Sequence, residues 1–110
     1  MDIAIIEPST THYYQPGWTM VGAGGFKKEE TARSTASVMP SYVTQIRGTV
    51  ASFQPDENSV RLEDGKALTY GSLLVAAGLK LDWAAIEGLE EALGRNGVTS
   101  NYRYDLAPYT

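Results

Sequence analysis

Apolar positions along the chain fall into two dense runs separated by a stretch of alternation. Ile3-Ala4-Ile5-Ile6, closed by Glu7, is a nearly continuous apolar run. Such a run fits a strand buried on both faces of a parallel sheet, because alternation arises only where one face meets water. The spacing predicts a strand over Met1–Glu7, ended by Pro8-Ser9-Thr10. Leu73-Leu74-Val75-Ala76-Ala77-Gly78 predicts a second fully buried strand. Between them, residues 42–72 read as a β-meander. Val43–Ile46 and Thr49–Phe53 are short extended runs, with Arg47-Gly48 as a bend or bulge. Val60 and Leu62 alternate with polar residues, as a half-buried strand requires. Asp64-Gly65 predicts a tight hairpin into a returning strand over Ala67–Tyr70, because glycine supplies the positive φ.

The remaining segments are less regular. Thr11–Gly25 reads as a long loop carrying His12, Tyr13, Tyr14, Pro16 and Trp18 among glycines. Long ordered loops of that kind are often functional. Lys27–Glu30 reads as solvated, and Thr31–Met39 as one or two helical turns stopped by Pro40. Asp82 is placed to cap a helix with Trp83, Ile86, Leu89 and Leu93 on one face, weakened by Gly88 and ended by Gly94. Residues 96–110 are polar, Tyr-rich and irregular. The fold class is α/β: buried parallel strands with an antiparallel β-meander inserted between them.

Composition narrows the chemistry. The 110 residues contain no cysteine and one histidine, His12. Disulfides, thiolate zinc sites, thiol nucleophiles and multi-histidine metal sites are therefore excluded from this chain. A net charge of −4 argues against a grip on nucleic-acid phosphates. No apolar run approaches the roughly 18 residues of a membrane span, and no basic-then-apolar segment opens the chain.

Three features point to a ligand. Glu7 ends a predicted parallel strand, where a carboxylate can accept hydrogen bonds from ribose hydroxyls. The matching glycine-rich turn belongs about 20 residues upstream, and Gly22-Ala23-Gly24-Gly25 lies downstream, so it is not that turn. Ala76-Ala77-Gly78 follows an apolar strand with residues small enough for a close approach of backbone to a ligand. Gln15-Pro16-Gly17-Trp18 is the third. Each has a plainer reading: a solvated strand end, a strand-to-loop turn, and an aromatic loop packed on the core.

Together these blocks resemble the sulfide:quinone oxidoreductases, flavoproteins of the pyridine-nucleotide-disulfide-reductase fold. The resemblance is carried by Ile6-Glu7-Pro8-Ser9, His12-Tyr13-Tyr14-Gln15-Pro16, Trp18-Thr19 and Val21-Gly22-Ala23-Gly24. Ser34 through Ser41, Leu73 to Gly78, Leu81-Asp82, Ile86 through Leu89 and Ser100-Asn101-Tyr102 continue it in order. It implies a partial FAD-binding Rossmann-like domain. In that family Glu7 would hold the adenosine ribose, and Val50 would present its backbone to the adenine. Gln15 and Pro16 would approach the flavin side, and Ala76, Ala77 and Gly78 would line the pyrophosphate side. Ala77 stands where related flavoproteins often have threonine, so no hydroxyl bond is available there.

The resemblance further implies a parent that oxidises sulfide, reduces a quinone and sits peripherally on a bacterial cytoplasmic or mitochondrial inner membrane. The family's glycine-rich βα unit and redox cysteines are not in these residues. The chain is therefore expected to be a soluble fragment, with all of residues 1–110 an internal piece of an FAD/NAD(P)-binding domain that lacks its N-terminal glycine-rich βα unit. It is expected to be inactive alone, to bind FAD weakly or not at all, and to self-associate through exposed strands. Alternatives are a fragment of the flavocytochrome c sulfide dehydrogenase flavin subunit, a fragment of a type II NADH dehydrogenase, or a standalone non-catalytic binding module.

Overall fold

The computed structural model describes residues 2–110, so Met1 lies outside the described residues. The chain divides into two compact units. One runs through Thr10 and then over Thr35–Ala77; the other comprises Thr11–Ser34 and Gly78–Thr110.

The first unit holds two sheets. Strand β1 (Ile3–Ile6) pairs in parallel with β4 (Val43–Ile46), Ile3 opposite Val43 and Ile6 opposite Ile46. Helix α2 (Thr35–Val38) is a single turn between them. Buried Thr35 ties that turn to the segment after β1: its N–H donates to the Thr10 carbonyl at 2.9 Å and its hydroxyl to the Ser9 carbonyl at 2.9 Å. The meander follows as β5 (Val50–Gln54), β6 (Ser59–Leu62) and β7 (Ala67–Thr69), paired antiparallel in the order β5-β6-β7. The central strand is the buried one: Val60 and Leu62 are inside and Arg61 is out, as a period of two demands, and Ser59 at its start is buried as well. The β6–β7 hairpin turns where the sequence predicts it. Gly65 takes φ +88°. The Asp64 carboxylate accepts the Lys66 N–H at 3.0 Å and faces its ammonium, and that N–H is the first cause of its lowered pKa.

The second unit is built on β2 (Thr11–Tyr13), antiparallel to β3 (Ala32–Ser34), and on the five-residue helix α1 (Trp18–Gly22). Its core is Trp18, Val21 and Ala107, with Tyr104 packed against them. Gly22 is required there: a Cβ would meet the Thr110 Cβ at 2.9 Å. Helix α3 (Leu89–Ala92) is one turn.

Five expectations change. Strand β1 forms, but it is not buried: Ile3 and Ile5 are 40% and 39% exposed. A parallel strand is buried only when strands flank both edges and helices cover both faces, and among the described residues β1 has one neighbour. Residues 73–78 form no strand, and Leu74 is 90% exposed. An apolar run becomes a strand only against a hydrogen-bonding partner, and no strand pairs with it among the described residues. Thr11–Gly25 is not a loop: it holds β2, a 3₁₀ turn at Gln15–Gly17 and α1. The helix from Asp82 breaks into a 3₁₀ turn at Trp83–Ala85 and α3, because Gly88 takes φ +75°, a left-handed conformation that ends a helix. Val43–Ile46 also sits differently, pairing with β1 while the meander proper begins at Val50.

Burial separates the consequences of two truncations. Val60→Ala empties a side chain only 2% exposed and is expected to cost about 2 kcal/mol in urea unfolding. Leu74→Ala is expected to stay within about 0.5 kcal/mol of the parent chain.

Candidate functional site

Glu7 stands one residue beyond β1, and its N–H continues the parallel ladder by donating to the Ile46 carbonyl at 3.0 Å. The carboxylate reaches forward along the chain, where Oε1 accepts the Ser9 N–H at 2.7 Å. Proline at position 8 makes the strand stop there, since it offers no N–H to extend the ladder. Glu7 is half-buried and sits at the carboxyl edge of a parallel pair, the edge where open α/β sheets bind ligands.

Val50 opens β5 opposite Leu62, and the register shifts between Val50 and Ser52. Ala51 is the extra residue of that bulge. Bulges re-aim the backbone beside them, and here the re-aimed residue is the one assigned to the adenine. Ala76 and Ala77 are exposed and outside regular structure. Gly78 takes φ +73°, with nothing within 4 Å of a Cβ built on it, so its backbone is open to a ligand and only glycine adopts its conformation without strain.

Gln15 and Pro16 belong to the second unit, in the 3₁₀ turn before α1. Half-buried Gln15 donates from Nε2 to the Asn101 main-chain carbonyl at 3.5 Å, a long bond. The Asn101 Oδ1 beside it is buried and accepts no hydrogen bond. The structure brings Gln15, Pro16 and Asn101 to one place in that unit. Glu7, Val50, Ala76 and Ala77 belong to the other unit.

Sequence reasoning missed what holds the Gln15–Pro16 turn in place. Trp18 donates from Nε1 to the Thr31 Oγ1 at 3.1 Å, and the Thr31 hydroxyl in turn donates to the Lys28 carbonyl at 2.6 Å. Tyr13, Trp18 and Tyr104 form a ring cluster with centroids 4.7 to 6.1 Å apart. The Lys28 ammonium lies 5.2 Å from the Tyr104 ring centroid, a cation–π contact. The aromatics at 13 and 18 were visible in the sequence. Tyr104 lies far down the chain, and no local pattern connects it to them.

Burial pushes the Tyr104 phenol above its ordinary value, with the Glu29 carboxylate and Tyr13 adding to the shift. Among the described residues no group of His, Asp and Glu side chains could hold a metal ion, and no helix is long and apolar enough to cross a membrane.

The chain as a whole is similar to known proteins. The sulfide:quinone oxidoreductase of Dictyostelium discoideum mitochondria is 47% identical over 109 residues, 99% of this chain and 24% of the relative. The chain is homologous to one segment of the sulfide:quinone oxidoreductases. The mouse mitochondrial enzyme is 46% identical over 101 residues, 92% of this chain and 22% of its own length. The crystal structure of the sulfide:quinone oxidoreductase from Aquifex aeolicus superposes with a TM-score of 0.78 at 27% identity, over 98% of this chain and 24% of that one. A chain of the Tetrahymena thermophila mitochondrial ATP synthase superposes with a TM-score of 0.77, over 98% of this chain and 28% of that one. At 21% identity it shows the shared fold alone. No family model matches the chain. The chain thus spans about a quarter of the length of the sulfide:quinone oxidoreductases it matches. The mixed α/β architecture, a parallel pair with an antiparallel meander, agrees with the sulfide:quinone oxidoreductase structure.

Two measurements test the aromatic anchor. Trp18→Phe deletes the bond to Thr31 and is expected to lower stability by about 1 kcal/mol in urea. Because the Tyr104 pKa is raised by folding, the unfolded chain loses that proton first as pH rises. The associated stability is complete below the ordinary tyrosine range and lost above it. Tyr104→Phe is expected to flatten the alkaline limb of a pH–stability profile.

Proposed function

We propose that this chain supplies part of the FAD-binding surface of a flavoprotein that oxidises sulfide and reduces a membrane quinone. The observation that carries this reading is Glu7, a carboxylate pinned by the Ser9 N–H at the carboxyl edge of a parallel β pair. A carboxylate there accepts from two vicinal ribose hydroxyls, so it holds the adenosine end of the cofactor. Val50 presents main-chain polar groups to the adenine from beside its bulge.

The residues fit FAD unevenly. Gly78 offers an uncrowded backbone to the pyrophosphate side, with Ala76 and Ala77 small enough to leave it accessible. Ala77 supplies no hydroxyl. The helices described are five residues or shorter, so none offers a developed N-terminal dipole to neutralise the phosphates. Gln15 and Pro16 form the flavin-side approach, and the Trp18–Thr31 bond keeps their turn rigid.

When bound, the flavin supplies a two-electron acceptor that donates onward to a quinone. The residues of this chain do no chemistry on sulfide: a chain without cysteine cannot form a persulfide. Their part is to bind and orient the cofactor. The chain alone is therefore inactive and binds FAD weakly or not at all. The names of its relatives support this reading over a flavocytochrome c subunit, a type II NADH dehydrogenase or a standalone module. Mitochondrial relatives favour a parent on the mitochondrial inner membrane. The exposed strand residues Ile3 and Ile5 give copies of the chain a surface through which to associate.

An NMR titration with FAD tests the assignment. Backbone shifts are expected at Glu7 and Val50, without saturation at micromolar ligand. Glu7→Gln is expected to weaken the response about tenfold, the loss of one charged hydrogen bond. Tight stoichiometric binding would overturn the weak-binding claim. Shifts that avoid Glu7 and Val50 would overturn the site.

A further inference from the structure

Asparagine occurs at positions 58, 96 and 101, and of these Asn96 is followed by glycine. An asparagine side-chain amide is open to attack by the main-chain nitrogen of the next residue. Glycine there clears the way, because it has no Cβ to crowd the approach. Asn96 and Gly97 are exposed, at the tip of a two-residue loop in the second unit. Arg95 and Val98 face each other across it in an antiparallel bridge, and the Val98 N–H donates to the Arg95 carbonyl at 2.8 Å. Positive φ at both tip residues, 50° at Asn96 and 79° at Gly97, makes it a type I′ turn.

The attacking atom is restrained. The Gly97 N–H donates to the Tyr109 hydroxyl at 3.1 Å. Tyr109 ends the 3₁₀ turn Ala107–Tyr109, and Thr99 fastens that segment to the loop. The Thr99 hydroxyl donates to the Leu106 carbonyl at 3.3 Å and lies 3.3 Å from the Thr110 hydroxyl. A main-chain nitrogen attacks as its proton leaves, and here a phenol oxygen holds that proton and fixes the nitrogen. The comparable positions are closed in other ways. Ser59, after Asn58, is buried at the start of β6, and Asn101 precedes a bulky tyrosine. Asp64-Gly65 has the same spacing, but its carboxylate is held by the Lys66 N–H and ammonium, and an ionised carboxylate is a poor electrophile.

We infer that Asn96 is the deamidation site of this chain and that the Tyr109 hydroxyl restrains the reaction. The Gly97 nitrogen bonds to the Asn96 Cγ and gives its proton to water. The Cγ–Nδ2 bond breaks, and ammonia leaves. Water then opens the five-membered imide. Opening at Cγ leaves aspartate, and opening at the main-chain carbonyl leaves isoaspartate, with the backbone running through Cβ and Cγ. Either product adds a negative charge. Isoaspartate also adds a backbone atom to a loop whose two residues set the Arg95–Val98 register.

The test ages the chain in weakly alkaline native buffer and in urea, and follows each asparagine peptide by mass spectrometry. Loss of the amide is expected at Asn96 ahead of Asn58 and Asn101. Tyr109→Phe keeps the ring of a side chain already 48% exposed and removes its hydroxyl. In native buffer it is expected to speed deamidation of Asn96 about fivefold, the loss of one hydrogen bond. In urea the two chains are expected to react at the same rate. Hydrogen exchange separates the single bond from general loosening: the variant is expected to lose protection at the Gly97 N–H and keep it at the Val98 N–H. Faster loss at Asn58 or Asn101 overturns the site. An unchanged native rate in Tyr109→Phe, a changed rate in urea, or loss of Val98 protection along with that of Gly97 overturns the role of Tyr109.

Discussion

A β-strand leaves a row of N–H and C=O groups along any edge that lacks a neighbour, and burying or pairing that row governs what a sheet can do. Strand β1 has this row on one side and β4 on the other. The half-formed parallel ladder places Glu7 at its carboxyl edge and leaves Ile3 and Ile5 in water. The candidate ribose carboxylate and the exposed apolar surface are therefore two outcomes of the same two-stranded pairing.

The second unit solves a different problem. Its regular elements are short, and helices of five residues have little intrinsic stability. Side-chain packing carries the burden instead. Trp18 fills the core and satisfies its indole N–H on Thr31, while Ala107 lies fully enclosed against the same helix. The bond matters because a buried indole N–H left unpaired would cost more than the ring's packing gains at its margin. Rigidity in the Gln15–Gly17 turn follows from that anchor, since the turn leads directly into Trp18.

The two units also differ in how their residues read as a site. Glu7 and Val50 owe their placement to backbone ladders, which fix position through register. Gln15 and Pro16 owe theirs to side-chain packing. Ala76, Ala77 and Gly78 have neither, and only Gly78 carries a conformational signature, its positive φ. The chain matches one segment of longer proteins, and devices of different kinds occur within that segment.

Local chemistry was legible in the sequence wherever it was local in space. The hairpin at Asp64-Gly65 follows from one glycine's φ and one carboxylate's reach. Burial of Val60 and Leu62 follows from alternation, and the strand ending at Glu7 follows from the proline behind it. The tertiary structure alone decided partnership. Ile3–Ile6 and Leu73–Ala77 have the same pattern, yet one is a strand because β4 meets it, and among the described residues no strand meets the other. Tyr104 joins Tyr13 and Trp18 by a contact between distant parts of the chain that no window of sequence contains. Periodicity records what a segment can bury; which residues supply the other side is set only by the folded arrangement.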